Sequence, residues 1–276
     1  MTLIRPFRGL RPAPGRAADV AAPPYDVLSS EEARVRAAGK PWSFLHISKP
    51  EIDLAPEIDI YSPPVYAKAA ENLARMQGEG VLRRDERECY YAYRLTMGGH
   101  VQTGIVAAAC VADYDSNRIR KHEFTRPDKE DDRVRQIEAL NAQTGPVLLA
   151  YPSSAAADAL IEAIAAGAPD SDLMADDGIR HQVWVLDDAA RCAEITRCFD
   201  AMKALYIADG HHRSAAASRV AAARHKAGRE TAADYFLAVI FPQDQMKILD
   251  YNRVVKDLHG LDEAGLVERL RADFVV

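Results

Sequence analysis

One stretch limits the fold of this chain more than any other: Ala204 to Gly228, which reads ALYIA, DGHHR, SAAASRVAAARHKAG. An apolar run of strand length, with Leu205, Tyr206 and Ile207, meets Asp209-Gly210 and passes at once into an alanine-rich segment of high helix propensity. The pattern predicts a buried strand, a tight turn and a helix. Gly210 permits the turn dihedrals, Asp209 is the expected cap, and Gly228 stands where a helix end favours a left-handed residue. His211, His212 and Arg213 then fall at the positive end of a long helix. Free N–H groups, the macrodipole and a guanidinium converge there, and together they suit a phosphate. Asp-Gly is also the commonest turn dipeptide, and histidines after it can be plain solvated loop residues. Here, however, the pair is followed by arginine and wedged between an apolar strand and a helix with one packed face. A metal site at the two histidines is the weaker option. Adjacent side chains diverge, and no HxxxH or CxxC spacing supports them.

With 276 residues, 48% of them hydrophobic, the chain can bury one large core or two modest ones, with a possible division into 1–150 and 151–276. Its 35 basic and 41 acidic residues leave a net charge of −6, so nucleic acid is not expected as a partner, a local basic groove aside. No apolar run reaches the length of a membrane span, and the opening MTLIRPFRGLRPAPG lacks the core of a signal peptide. A cytoplasmic protein is expected. Cys89, Cys110, Cys192 and Cys198 show no zinc-ribbon spacing and read as reduced, buried thiols.

Taken in order, residues 3–22 mix arginines with prolines and predict an extended segment. Pro23-Pro24 stiffens the approach to Tyr25 and Asp26, and Ser29 or Ser30 followed by Glu31-Glu32 starts a helix. Residues 43–48 alternate as a strand does, and Tyr66 to Gly80 has helical periodicity. YYAYRLT, MGGH and VQTGIVAAACVADY predict a hairpin. Further strands are expected at VLLAYPSS, HQVWVLDD, DYFLAVIFP and QMKILDYNRVV, with helices at 155–166, 189–202 and 263–273. Strands and helices alternate without a strict βαβ rhythm, which predicts an α+β (mixed α/β) fold.

The second unusual stretch is RIRKHEFTRPDKEDDRVRQIEALNAQTGP. Thr125 with Asp128 resembles a capping box, Pro127 suits a first helical turn, and Val134, Ile137 and Leu140 make a narrow apolar stripe. A charge-laced helix is commonly a solvated face. Acids and bases nonetheless cluster just ahead of a helix N-terminus, as they do at DGHHR. Glu123 or Glu130 suits a general base. Lys121, His122, Arg126, Lys129 and Arg133 suit phosphate oxygens.

The boxes IRPFRGLRP, APPYDVLS, RKHEFTRPDKEDDR, NAQTGPV, YIADGHHR and DYNRVVKDLHG, taken together, resemble a bacterial domain-of-unknown-function family, number 1015. The likeness spans the whole chain. Members are usually longer by well over a hundred residues, so the chain is expected to lack the family's C-terminal portion. More loosely, strand, DGHHR and helix are similar to the phosphate-binding box of the ParB and sulfiredoxin superfamily, which includes nucleotide-dependent serine kinases. That likeness implies a ParB/sulfiredoxin-like core with an inserted or appended α+β region, and phosphate-cradling roles for Asp209, Gly210, His211, His212 and Arg213. Tyr25 and Asp26 lie in a distant counterpart of its N-terminal box.

The expectation that follows is a nucleotide-dependent phosphotransferase acting on a small hydroxy or phospho amino acid, serine or phosphoserine. Its partners would be that substrate and a nucleotide, with ATP or ADP and Mg2+ as cofactors and Asp209 or Glu130 holding the ion. His211 or Glu123 would manage the proton. The alternative is a nucleotide-sensing regulatory or DNA-associated module of ParB type.

Overall fold

The computed structural model describes residues 1–225, 229–250, 252 and 255–275, which fall into two units, 1–246 and 247–276. In the first unit the proline-rich start is mostly extended. β1 (Ile4–Arg5) and β2 (Leu10–Pro12) precede one helical turn, α1 (Ala17–Val20). Ser29 opens α2 (Ser30–Ala37) with a capping box: its hydroxyl accepts the Glu32 N–H, and the Glu32 carboxylate accepts the Ser29 N–H.

Residues 43–48 are helical instead of the expected strand, forming α3 (Leu45–Ser48). The reason is packing. Ile47 joins a cluster with Leu73 and Met76, while Leu45 packs with Ala33 and Ala37, so the two apolar residues face different helices and not one sheet. α4 (Pro63–Gly78) follows, opened by Pro63 and Pro64.

β3 (Leu82–Arg84) pairs with β2. The hairpin appears as β4 (Tyr90–Met97) and β5 (His100–Cys110), joined at Gly98-Gly99. Its expected continuation through VADY instead turns into α5 (Val111–Asp115), where Val111 and Tyr114 share the buried helical face. Then come β6 (Ile119–Arg120), α6 (Pro127–Leu140), β7 (Val147–Tyr151), α7 (Ala155–Ile164), β8 (Ser171–Met174) and β9 (Arg180–Leu186). α8 (Ala189–Asp200), β10 (Leu205–Asp209), α9 (His211–Arg224) and β11 (Tyr235–Pro242) complete the unit.

Nine strands form one mixed sheet in the order β6-β10-β7-β11-β5-β4-β9-β8, with β1 beside β5. The pairs β6/β10 and β7/β11 are parallel, and the others are antiparallel. The fold is therefore mixed α/β, and strands from before and after residue 150 interleave in it. Tyr90, Ile105, Leu149, Tyr151, Phe199 and Phe236 fill the core on the helix-covered sheet. Each such side chain contributes roughly 1.5–3 kcal/mol on burial. β5 and β11 approach so closely that a Cβ at Gly104 would clash with the Ile240 carbonyl oxygen. All four cysteines are free, and burial pushes the thiols of Cys89, Cys110 and Cys192 up.

β10 is only half buried: Leu205 and Ile207 face the core while Tyr206 faces out, because it lies one strand from the sheet edge and is covered on one face. In the second unit, α10 (Glu263–Leu270) is capped by Asp262, whose carboxylate accepts the Gly265 N–H. Of the strand expected over 245–255, residues 246–250 have no regular structure, and Tyr251, Arg253 and Val254 lie outside the described residues, as does Gly228. Among the described residues no helix is long and apolar enough to cross a membrane.

Candidate functional site

The sheet itself brings the two charged stretches together. β6 and β10 are parallel neighbours, with Ile119 opposite Leu205 and Arg120 opposite Tyr206. The loops leaving their carboxyl ends therefore emerge side by side, one carrying Lys121 to Arg126 and the other turning through Asp209 and Gly210 into α9. β7 runs antiparallel to β10, so Pro146 at its start arrives at the same corner. The carboxyl ends of parallel strands are where open α/β sheets place ligands.

Gly210 makes the turn. It is the N-cap of α9 with φ 97°, a left-handed conformation, and its ideal Cβ would lie 3.2 Å from the Val147 Cα. Asp209, expected to cap the helix, does not: its carboxylate accepts from the Arg213 guanidinium one turn on. The first intrahelical bond runs from the Ser214 N–H to the Gly210 carbonyl, 3.0 Å. The N–H groups of His211, His212 and Arg213 precede it and have no intrahelical partner.

His211 is buried, only 3% exposed. Its Nε2 accepts the His122 N–H at 3.4 Å, which places its proton on Nδ1, 3.4 Å from Glu123 Oε2. The His122 ring meets it edge to face, 4.4 Å between centroids, and His122 Nε2 lies 3.9 Å from the other Glu123 oxygen. Burial, and then the neighbouring His122, holds His211 below the usual histidine range. A neutral imidazole thus orients an exposed carboxylate.

His212 points the other way, and its Nε2 accepts the Arg126 N–H at 3.1 Å. Arg126 is the N-cap of α6, with no side-chain cap bond; the predicted Thr125-Asp128 box does not form, because the Thr125 hydroxyl donates to Glu130. Arg219 then reaches Glu130 and Asp131, and Arg224 reaches Asn141. Contacts that advance along both helices in the same sense mean that α6 and α9 run side by side in the same direction. Their positive ends add at one place.

Arg213 donates to the Pro146 carbonyl and to Asp209, and lies 3.8 Å from Asp26, so the PYDV box is drawn to the site as well. Arg133 stacks over Tyr25, 4.2 Å to the ring centroid, and pairs with Asp132. Tyr25, half-buried, is pushed up by that burial. Arg126 bonds only the exposed Asp128 carboxylate with its side chain, a pair that solvent screens and that is free to rearrange. Lys129 donates to the Tyr61 hydroxyl, and Lys121 lies over Tyr114. Glu130 is held by Thr125 and Arg219, which leaves Glu123 as the exposed carboxylate beside His211.

Sequence reasoning did not single out Arg219, Pro146, Tyr61 or Tyr114, each of which holds a charged residue of the site. Arg219, two turns along the helix from His212, was the one open to detection by helical spacing. Two clefts of about 440 and 480 Å3 lie elsewhere, lined respectively by Arg11, Asp85 and Asp170 and by Pro6, Cys192 and Thr196. Convergent polar groups, not concavity, mark the candidate site.

Fold and site define a mixed α/β protein with a polar, histidine-bearing corner where two parallel strands end and two helices begin. The chain belongs to the family described as "Protein of unknown function (DUF1015)", whose model it matches over residues 4–276. Neither the curated proteins nor the solved structures compared with it gave a match.

Proposed function

We propose that the protein binds a phosphate-bearing ligand, a nucleotide such as ATP or ADP, at the shared positive ends of α6 and α9. It would transfer a phosphoryl group to or from a small hydroxy or phospho amino acid of the serine type. The observation that carries this reading is the Arg126–His212 bond, which sets two helix N-termini beside Arg213 and the Glu123–His211 pair. The box's likeness to the ParB and sulfiredoxin superfamily supports it.

Phosphoryl transfer needs positioning and charge neutralisation above all. The N–H groups of His211, His212 and Arg213 would hold phosphate oxygens, and Arg126 or Arg213 would turn from its carboxylate to the developing charge. The substrate hydroxyl oxygen would form the new bond to phosphorus as the bond to the nucleotide breaks, with its proton passing to Glu123. Asp209, 65% exposed, would be released to a nucleotide-bound Mg2+ once Arg213 turns from it to the phosphate.

A thermal-shift screen against ATP, ADP, CTP, serine and phosphoserine, with and without magnesium, tests it. A ligand at a hundredfold its Kd adds about 2.7 kcal/mol. Stabilisation by a nucleotide, lost in Arg213→Ala, is the expected result, and no response to any phosphate compound overturns the reading. Nucleotide binding without turnover would assign the protein to nucleotide sensing, and a mobility-shift assay at moderate salt would then decide whether DNA is involved.

A further inference from the structure

We propose that His122, Glu123 and His211 form a three-ligand site for a divalent transition-metal ion of the zinc class. One ligand atom from each of the three lies within 4.8 Å of the others. Two separations are shorter: 3.4 Å from His211 Nδ1 to Glu123, and 3.9 Å from His122 Nε2 to the same carboxylate. Bonds of about 2.1 Å at tetrahedral angles put ligand atoms about 3.4 Å apart. The two short separations go to different Glu123 oxygens, and the widest, up to 4.8 Å, must close by as much as about 1.4 Å, a movement that rotation of the two exposed side chains can supply.

The donor set decides the class of ion. Two imidazoles and one carboxylate suit zinc, cobalt or ferrous iron, whereas magnesium and calcium take oxygen ligands. Three protein ligands also leave a fourth position open. That position faces outward, since the His122 and Glu123 side chains are 58% and 60% exposed while His211 is buried and fixed.

The fold explains why this set is hard to see in the sequence. Adjacent imidazoles do diverge: His212 turns to Arg126, leaving His211 alone. The second imidazole comes from His122, 89 residues earlier, delivered by the parallel β6/β10 pair. The positive end of α9 opposes a cation, and the Glu123 carboxylate offsets it. Coordination at His211 uses the Nδ1 lone pair, so the neutral ring must change tautomer: the Nδ1 proton goes to solvent as Nε2 takes one up, with no net release from this ring, and the His122 N–H to Nε2 bond is given up. The metal-bound state and the proton-accepting Glu123–His211 pair therefore exclude one another.

The inference goes beyond the phosphate reading, because metal binding is read with no nucleotide present. Zinc chloride is titrated calorimetrically into the full chain. One zinc per chain is expected. Glu123→Gln and His122→Ala should each weaken binding at least about 10-fold. Both side chains are exposed, so circular dichroism should show folded variants, and His225→Ala should bind as the unaltered protein does. Absence of one-site binding, or affinity unchanged in both ligand variants, overturns the site. Arg213→Ala separates the two readings, since it should lose nucleotide binding and keep zinc.

Discussion

The Arg126 N–H donates to His212 Nε2 across 3.1 Å, and this bond joins the first turns of two helices that run in the same direction. Parallel helices set their dipoles side by side, which is unfavourable unless something negative sits at the shared positive end. Glu123, Asp128 and Asp209 supply part of that charge. A bound anion would supply more. The same corner is thereby both the electrostatic liability of the fold and its candidate site.

Gly210→Ala should destabilise the protein. The residue has φ 97°, and the new Cβ would press on the Val147 Cα at 3.2 Å. A left-handed conformation costs an L-residue about 1–2 kcal/mol before crowding is counted. Urea unfolding should show a lower midpoint at unchanged slope; a loss below about 0.5 kcal/mol would mean that the turn relaxes freely.

Tyr91→Phe tests the polar network behind the hairpin. The Tyr91 hydroxyl accepts the Gly9 N–H at 2.8 Å and donates to Asp85 at 2.7 Å, while its ring stands edge-on to Phe7. Burial works against the Asp85 charge, yet Arg11 and Tyr91 together hold its carboxyl below the usual range. Phenylalanine keeps the ring and strands the Gly9 N–H, at a cost of about 1–3 kcal/mol by chemical denaturation.

How much of this was legible beforehand follows the strength of local pattern. The Gly98-Gly99 turn with its flanking strands as far as Cys110, the β11 run and the alanine-rich α9 are long or strongly periodic, and they appear as expected. Residues 43–48 are too few for one period to exclude another, and packing against α4 decided them. β8 is a short edge strand with polar residues, and alternation did not reveal it. The chemistry-bearing residues were visible as two charged stretches. Their meeting was not, because it depends on a parallel pairing in which β6 contributes two residues. Which carboxylate stays open was likewise hidden, since Arg219 and Thr125 engage Glu130 only once α6 and α9 pack.

The chain's pH response should include His181. The Tyr93 hydroxyl and its Nδ1 share a hydrogen bond of 2.7 Å, and burial lowers its pKa from 6.5. Between the folded value and 6.5 the unfolded chain binds the extra proton, so this group's contribution is complete above about pH 6.5 and is lost as pH falls through the folded pKa. Stability measured in urea from pH 8 to pH 5 should decline less steeply in His181→Gln than in the unaltered protein. Equal slopes would place His181 in solvent.

The central claim is that an anion is held where α6 and α9 begin, and amide spectra of the 15N-labelled protein titrated with inorganic phosphate test it most directly. The account predicts saturable shifts of the His211, His212 and Arg213 amides, weakened at higher salt and lost in Arg213→Ala. Shifts confined to other regions, or none at these three amides at saturating phosphate, would contradict it.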